Sequence, residues 1–354
     1  MTEKNTDNTN ETSISNFEKA PLSQSGITDI SAFIILPESF RLESGDKPSS
    51  RKLYYRITGP QTAPVIAVFG GISADNNVCD TVEGHKGWWR DFAGAQKVLD
   101  TEKFRVVCFD FVLPSLETEE FVEIPAITTS DQANCLKILL DELKIPTLHS
   151  FVGSSYGGMI GLAFANLYPE NLENLVIISA AEKPDPMSTA WRSIQRRIVG
   201  LPQTDKEREE ALSLARQLAM TTYRTRVEFK ERFSGPSYFS DKGPRFEVED
   251  YLEARGSTWS KTVSVERFLA LSQSIDLHRI EPRNIVVPTL LIAVIEDQLV
   301  PLEDIQRLKN LMGDIATLKE IHSHFGHDSF LKEVDQISNL ITPFIGVEEN
   351  DKAA

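Results

Sequence analysis

FVGSSYGGM, residues 151–159, sets two serines between glycines, and its surroundings decide how the chain folds. The apolar run HSFV (149–152) leads into it, and GGMIGLAFANLY (157–168) leads out with helical apolar spacing. Gly153 to Gly157 reads G-x-S-x-G with Ser155 at its centre. A serine nucleophile carried between a strand and a helix sits in a strained turn. Glycines two before and two after it remove the Cβ atoms that would hold strand and helix apart, and the helix N-terminus favours negative charge nearby. The same letters also describe a plain glycine-rich turn whose serines cap the helix. With a strand before and a helix after, Ser155 is the expected nucleophile and Ser154 fills the turn.

Working outward, short apolar runs recur between helical patterns: KLYYRIT (52–58), VIAVFG (65–70), FRVVCFDFV (104–112), LVIIS (175–179), TLLIAVI (289–295) and TLKEI (317–321). The middle ones are continuous rather than alternating, the pattern of strands buried on both faces and hence of a mostly parallel sheet covered by helices. The helical stretches include SDQANCLKILLDEL, opening on a Ser130/Asp131 cap, and LEDIQRLKNLM, stopping at Gly313. Between about 185 and 282 the alternation gives way to charged helical segments, which predict an insertion over the C-terminal edge of the sheet. The expected organisation is a disordered tail over 1–30, a core over 31–184 and 283–346, a helical lid over 185–282 and a short tail over 347–354.

A nucleophilic serine needs a base, and the base an orienting carboxylate, in the chain order serine, acid, histidine. Asp297 follows the run TLLIAVI within EDQLVP, and His327 follows TLKEI within HFGHDSF. Glu296 is the rival acid, and Asp297 could also serve an Asx turn before Pro301. His322, His324 and His327 together could hold zinc, but such a site would leave the serine elbow unexplained, so no metal is expected. The oxyanion needs two backbone N–H donors, expected from Tyr156, after the nucleophile, and Ile72, in GISAD after VIAVFG.

Composition narrows the classes. The chain has 354 residues, 41% hydrophobic and 25% charged, with no apolar run near the ~20 residues that span a bilayer. The N-terminus has no basic start and apolar stretch, so the cytoplasm is expected. The net charge of −15 argues against nucleic acid as a partner and means that an anionic donor needs a local basic patch. Arg192, Arg196 and Arg197 in WRSIQRRIV offer one. Cys79, Cys108 and Cys135, odd in number and widely spaced, read as buried thiols.

Together these residues resemble the α/β-hydrolase fold, and longer blocks narrow the likeness. GWWRDFAGAQKVLDTEKFRVVCFD (87–110), SYGGM (155–159) and FGHDSFLKE (325–333) are similar to the corresponding blocks of the homoserine O-acyltransferases of methionine biosynthesis. The resemblance covers about 50 to 345. It implies an acyl-CoA donor, with no cofactor beyond that substrate, L-homoserine as acceptor, ping-pong acyl transfer through Ser155, Asp297 and His327, and a homodimer. It further implies Asp328 as ligand of the substrate amino group and Arg196 as holder of its carboxylate. The short segment VLPSLETEEFVEIP (112–125), where the family often has a long glycine-rich loop, is similar to a subgroup that transfers succinyl as well as acetyl groups, while the first oxyanion loop departs from the family in reading GGIS. Serine as acceptor, a carboxylesterase or thioesterase on the same triad, and a non-catalytic binding module stay open as alternatives.

Overall fold

The computed structural model describes residues 28–115, 124–201, 204–241 and 243–346. Eight strands form one sheet: β1 (Thr28–Ile35), β2 (Lys52–Gly59), β3 (Val65–Phe69), β4 (Arg105–Phe109), β5 (Ser150–Ser154), β6 (Leu175–Ile178), β7 (Thr289–Val294) and β8 (Ala316–Ile321), ordered β1-β2-β4-β3-β5-β6-β7-β8. β2 runs antiparallel to both of its neighbours, β1 and β4, and the other neighbours pair in parallel. Every residue of β3, β5, β6 and β7 is buried, which is why their sequences are continuous apolar runs rather than alternating ones. The expected tail ends earlier than residue 30. Thr28, Asp29 and Ile30 already pair with Gly59, Thr58 and Ile57, and Asp29 is anchored by the buried Arg56 at 2.7 Å. The remaining tail residues, 1–27 and 347–354, lie outside the described ones.

The helices that cover the sheet are α1 (Thr129–Glu142), α2 (Tyr156–Leu167), and later α8 (Leu302–Met312) and α9 (Val334–Ile345). The cap of α1 lies two residues before the expected Ser130. Thr128 is the N-cap and Asp131 the third helical residue of a reciprocal capping box. α2 stops before Pro169, and α8 stops at Gly313, whose φ of 70° suits glycine.

Between β6 and β7 lie α3 (Pro186–Val199), α4 (Asp205–Tyr223), α5 (Arg226–Arg232), α6 (Glu247–Ser260) and α7 (Val265–Leu277). A small hairpin, Tyr238–Ser240 with Gly243–Arg245, interrupts the expected all-helical insertion. Val199, Leu212, Ala215, Trp259, Val263 and Phe268 form a core of its own within the insertion, and Ile72 of the sheet domain packs against it. The insertion therefore meets the sheet domain at the loop that follows β3. No helix among the described residues is long and apolar enough to cross a membrane.

Candidate active site

Ser155 stands between β5 and α2 with φ 53° and ψ −121°, a conformation that costs a non-glycine residue about 1–3 kcal/mol. The surroundings hold it there: its N–H bonds Ile178 O at 2.9 Å, and Met159 N–H bonds its carbonyl at 3.1 Å. The flanking glycines are steric necessities. A Cβ on Gly157 would lie 2.1 Å from Phe69 O, and one on Gly153 would lie 2.4 Å from Gly157 O. That closeness lets Gly157 N–H bond Gly70 O at 2.8 Å, fixing the end of β3 beside the elbow. Ser154 is buried and does not line the cleft.

The three expected partners converge. Ser155 Oγ lies 2.8 Å from His327 Nε2, and His327 Nδ1 lies 2.7 Å from Asp297 Oδ2. The other carboxylate oxygen, Oδ1, accepts from Leu299 N at 2.8 Å and Val300 N at 3.1 Å. These bonds fix Asp297 and leave it as an acceptor, so Nδ1 carries the ring proton and Nε2 can accept the serine's. Burial opposes charge on His327, but the field and hydrogen bond of Asp297, with Asp328 behind it, outweigh burial and the opposing Arg192. The net effect raises the ring above the ordinary imidazole value. Glu296, the rival acid, is engaged elsewhere, accepting from Ser323 N at 2.8 Å and meeting His322 Nδ1 at 2.8 Å. The clustered histidines thus go separate ways, His322 to Glu296 and His327 to Asp297.

Two sequence blocks explain how His327 is delivered. Gly326, at φ 57°, starts the turn that presents the ring, and a Cβ there would stand 2.8 Å from Tyr223 O. Trp89 of the GWW block donates to Phe330 O at 2.7 Å and pins the far end of the same turn. Trp88 packs on Gly70, where an added Cβ would meet its ring at 2.7 Å. These blocks buttress the site from outside the cleft.

Tyr156 is the first residue of α2, where an N–H has no acceptor within the helix. Ile72 lines the cleft over Ser155, and a Cβ on the preceding Gly71 would lie 4.0 Å from Ser155 Oγ.

The insertion roofs the cleft with Trp191, Arg192, Arg216, Tyr223, Trp259 and Phe268. The arginines fall differently from expectation. Arg196 does not line the cleft. Its Nη1 is taken by Asp276 Oδ2 at 2.6 Å and by Ser272 O and Oγ, both at 3.0 Å, so it serves to dock α3 on α7. Arg192 lines the cleft and shares Asp276, at 2.7 Å. Arg216, on α4, was missed. It lies over Tyr223 and Trp259, 5.0 and 5.3 Å from the ring centres, with no carboxylate within ion-pair distance among the described residues. A signal existed: Leu212, Ala215, Ala219 and Met220 make the buried face of α4, and Arg216 is a part-buried cation set among them. Asp328, beside His327, makes an ion-pair contact of 2.8 Å with Arg224 Nε, and its side chain is 11% exposed.

A family model for the α/β-hydrolase fold matches residues 69–334. Esterase E22 superposes with a TM-score of 0.80 at 19% identity, covering 90% of this chain and all of that one. A homoserine O-acetyltransferase from Bacillus anthracis superposes at 0.79 with 17% identity, covering 91% of this chain and 98% of that one. At these identities the two structures share the fold and say nothing of the acceptor. A homoserine O-succinyltransferase from Xanthomonas campestris pv. campestris is 42% identical over 82% of this chain and 78% of its own length. With that relationship on top of the fold, the chain belongs to the homoserine O-acyltransferase family of α/β-hydrolase proteins.

Proposed function

We propose that the protein carries a succinyl group from succinyl-CoA to the hydroxyl of L-homoserine by way of Ser155, a step of methionine biosynthesis. His327 takes the Ser155 proton as Oγ attacks the thioester carbonyl, and the N–H groups of Tyr156 and Ile72 hold the oxyanion. The C–S bond breaks and CoA leaves as a thiol with the proton from His327. Homoserine then binds with its carboxylate on Arg216 and its ammonium on Asp328. Its hydroxyl gives its proton to His327 and attacks the ester, which regenerates Ser155. Transfer must outrun water at ~55 M, and an acceptor held in line beneath a closed roof reaches effective molarities of ~10⁵ M or more.

The observation that carries the donor assignment is a pair of guanidiniums on the cleft wall. Arg192 shares the carboxylate of Asp276 with Arg196, which lies outside the cleft, and Arg216 has no carboxylate within ion-pair distance among the described residues. Homoserine has one carboxylate and matches one of these guanidiniums. A succinyl group brings a second carboxylate, for which Arg192 is the partner. An acetyl group brings none. The exposed apolar side chains Met187, Ile194, Leu214 and Phe239 on the insertion support assembly as a homodimer, checked by light scattering for twice the chain mass.

The direct test assays acetyl-CoA and succinyl-CoA against homoserine and serine, following free CoA and acylated product together. Succinyl-CoA with homoserine should give the highest kcat/KM. Release of free succinate as fast without homoserine as succinylhomoserine forms with it would assign the protein to hydrolysis instead.

A further inference from the structure

Helix α7 touches both contributors to the oxyanion site. Near its start, Arg267 Nη2 donates to Ala74 O at 2.8 Å and Ile72 O at 3.3 Å. Two turns later, Ser274 Oγ shares a 2.8 Å hydrogen bond with the phenol of Tyr156. Positions seven apart lie on one helix face, so a single face meets the Ile72 loop and the Tyr156 side chain. Phe111 fills the space between, 5.5 Å from the guanidinium and edge-on to Tyr156 at 5.1 Å.

The loop after β3 has little regular structure of its own and is held residue by residue. Trp259 of α6 donates to Ser73 Oγ at 2.9 Å, Asp110 accepts from Asn76 N at 2.9 Å, and Ala74 N bonds Gly71 O at 2.9 Å. Arg267 supplies the bonds at Ile72 and Ala74. Removing a guanidinium from water is expensive unless its donors are used. Among the described residues no carboxylate lies within ion-pair distance of Arg267, and the hydrogen bonds of its guanidinium go to this loop. A residue needed only to join two helices would have met a carboxylate, as Arg196 meets Asp276.

We propose that Arg267 is a positioning residue for acyl transfer: it sets the 72–74 backbone so that Ile72 N–H faces the oxyanion, and with Ser274 it makes a formed oxyanion site conditional on α7 being docked. The acyl-enzyme then forms only under the roof that shields it from water. This rests on the Ser155 mechanism proposed above.

The test uses the full chain with Arg267→Met, Arg267→Lys and Ser274→Ala, and Ser155→Ala beside them. Steady-state kinetics with succinyl-CoA and homoserine are compared with the affinity of an alkylboronic acid, which forms a tetrahedral adduct on the serine. Arg267→Met should lower kcat about 10- to 100-fold, leave KM for homoserine within about twofold, and weaken the boronate by a similar factor. Arg267→Lys should recover part of the loss. A folded Arg267→Met with wild-type kcat, or one whose boronate affinity is unchanged, overturns the proposal. If Arg267→Met does not fold, Arg267→Lys and Ser274→Ala carry the same test, each expected to lower kcat and boronate affinity together; wild-type values in both overturn it. Activity surviving in Ser155→Ala would instead sink the underlying mechanism.

Discussion

Replacing Arg216 by leucine separates the two halves of the proposed reaction. In the free protein its guanidinium is sandwiched against Tyr223 and Trp259 and has no carboxylate within ion-pair distance among the described residues. The change therefore sacrifices two cation–π contacts, about 1 kcal/mol of stability together at this partly exposed position. Binding loses more. Hydrogen bonds to a charged partner contribute about 1.5–3 kcal/mol each, and discounting a two-pronged contact for the open side of the cleft leaves about 3 kcal/mol. That corresponds to about a 100-fold fall in kcat/KM for homoserine. Arg216→Lys keeps the charge but not the fork and should fall about tenfold. The donor half is read separately, as the burst of CoA released without homoserine, and should stay within about twofold of wild type. A burst that collapses in step with homoserine turnover, or a larger homoserine defect in Arg196→Leu, would refute the assignment.

Three further outcomes follow from the same geometry. Arg192→Ala should lower kcat/KM for succinyl-CoA about tenfold or more and spare acetyl-CoA; equal losses for both donors would remove its role as carboxylate partner. His327 must be neutral to accept the Ser155 proton, and its value is raised above 6.5, so activity should fall as pH drops through a midpoint above 6.5, while any stability from the charged ring is present at low pH and fades as pH rises through that midpoint. A pH–rate profile with its acid limb below 6.5 contradicts this. Gly157→Ala forces a methyl to within 2.1 Å of Phe69 O and should lower stability by about 1–3 kcal/mol or more and remove activity, whereas Gly200→Ala, with neighbours no nearer than 3.5 Å, should leave the melting temperature nearly unchanged.

What the sequence disclosed, and what it withheld, divides along the range of the interactions. Ser155 and Asp297 were legible because each sits just past the end of a buried strand, announced by a short apolar run, and His327 because it follows the edge strand β8 in a turn opened by Gly326. The start of β1 was hidden because Thr28 and Asp29 look like tail residues until Arg56, 27 positions away from Asp29, supplies a buried partner. The arginines failed for a related reason. Arg192, Arg196 and Arg197 share one amphipathic helix, and the helix alone does not say that Asp276 on α7 takes two of them. Arg216 could have been found by asking why a cation interrupts the apolar face of α4. The GWW block was legible only as part of a family resemblance; in the structure it buttresses the β3 loop and the His327 turn, through Trp88 on Gly70 and Trp89 on Phe330.

The most direct measurement is intact-protein mass spectrometry after mixing the full chain with succinyl-CoA alone, followed by a homoserine chase. The account predicts a mass gain of one succinyl group located on Ser155, its removal by homoserine as O-succinylhomoserine much faster than by buffer, and no adduct in Ser155→Ala. No adduct on the wild-type chain while turnover proceeds, or an adduct that buffer clears as fast as homoserine does, would contradict it.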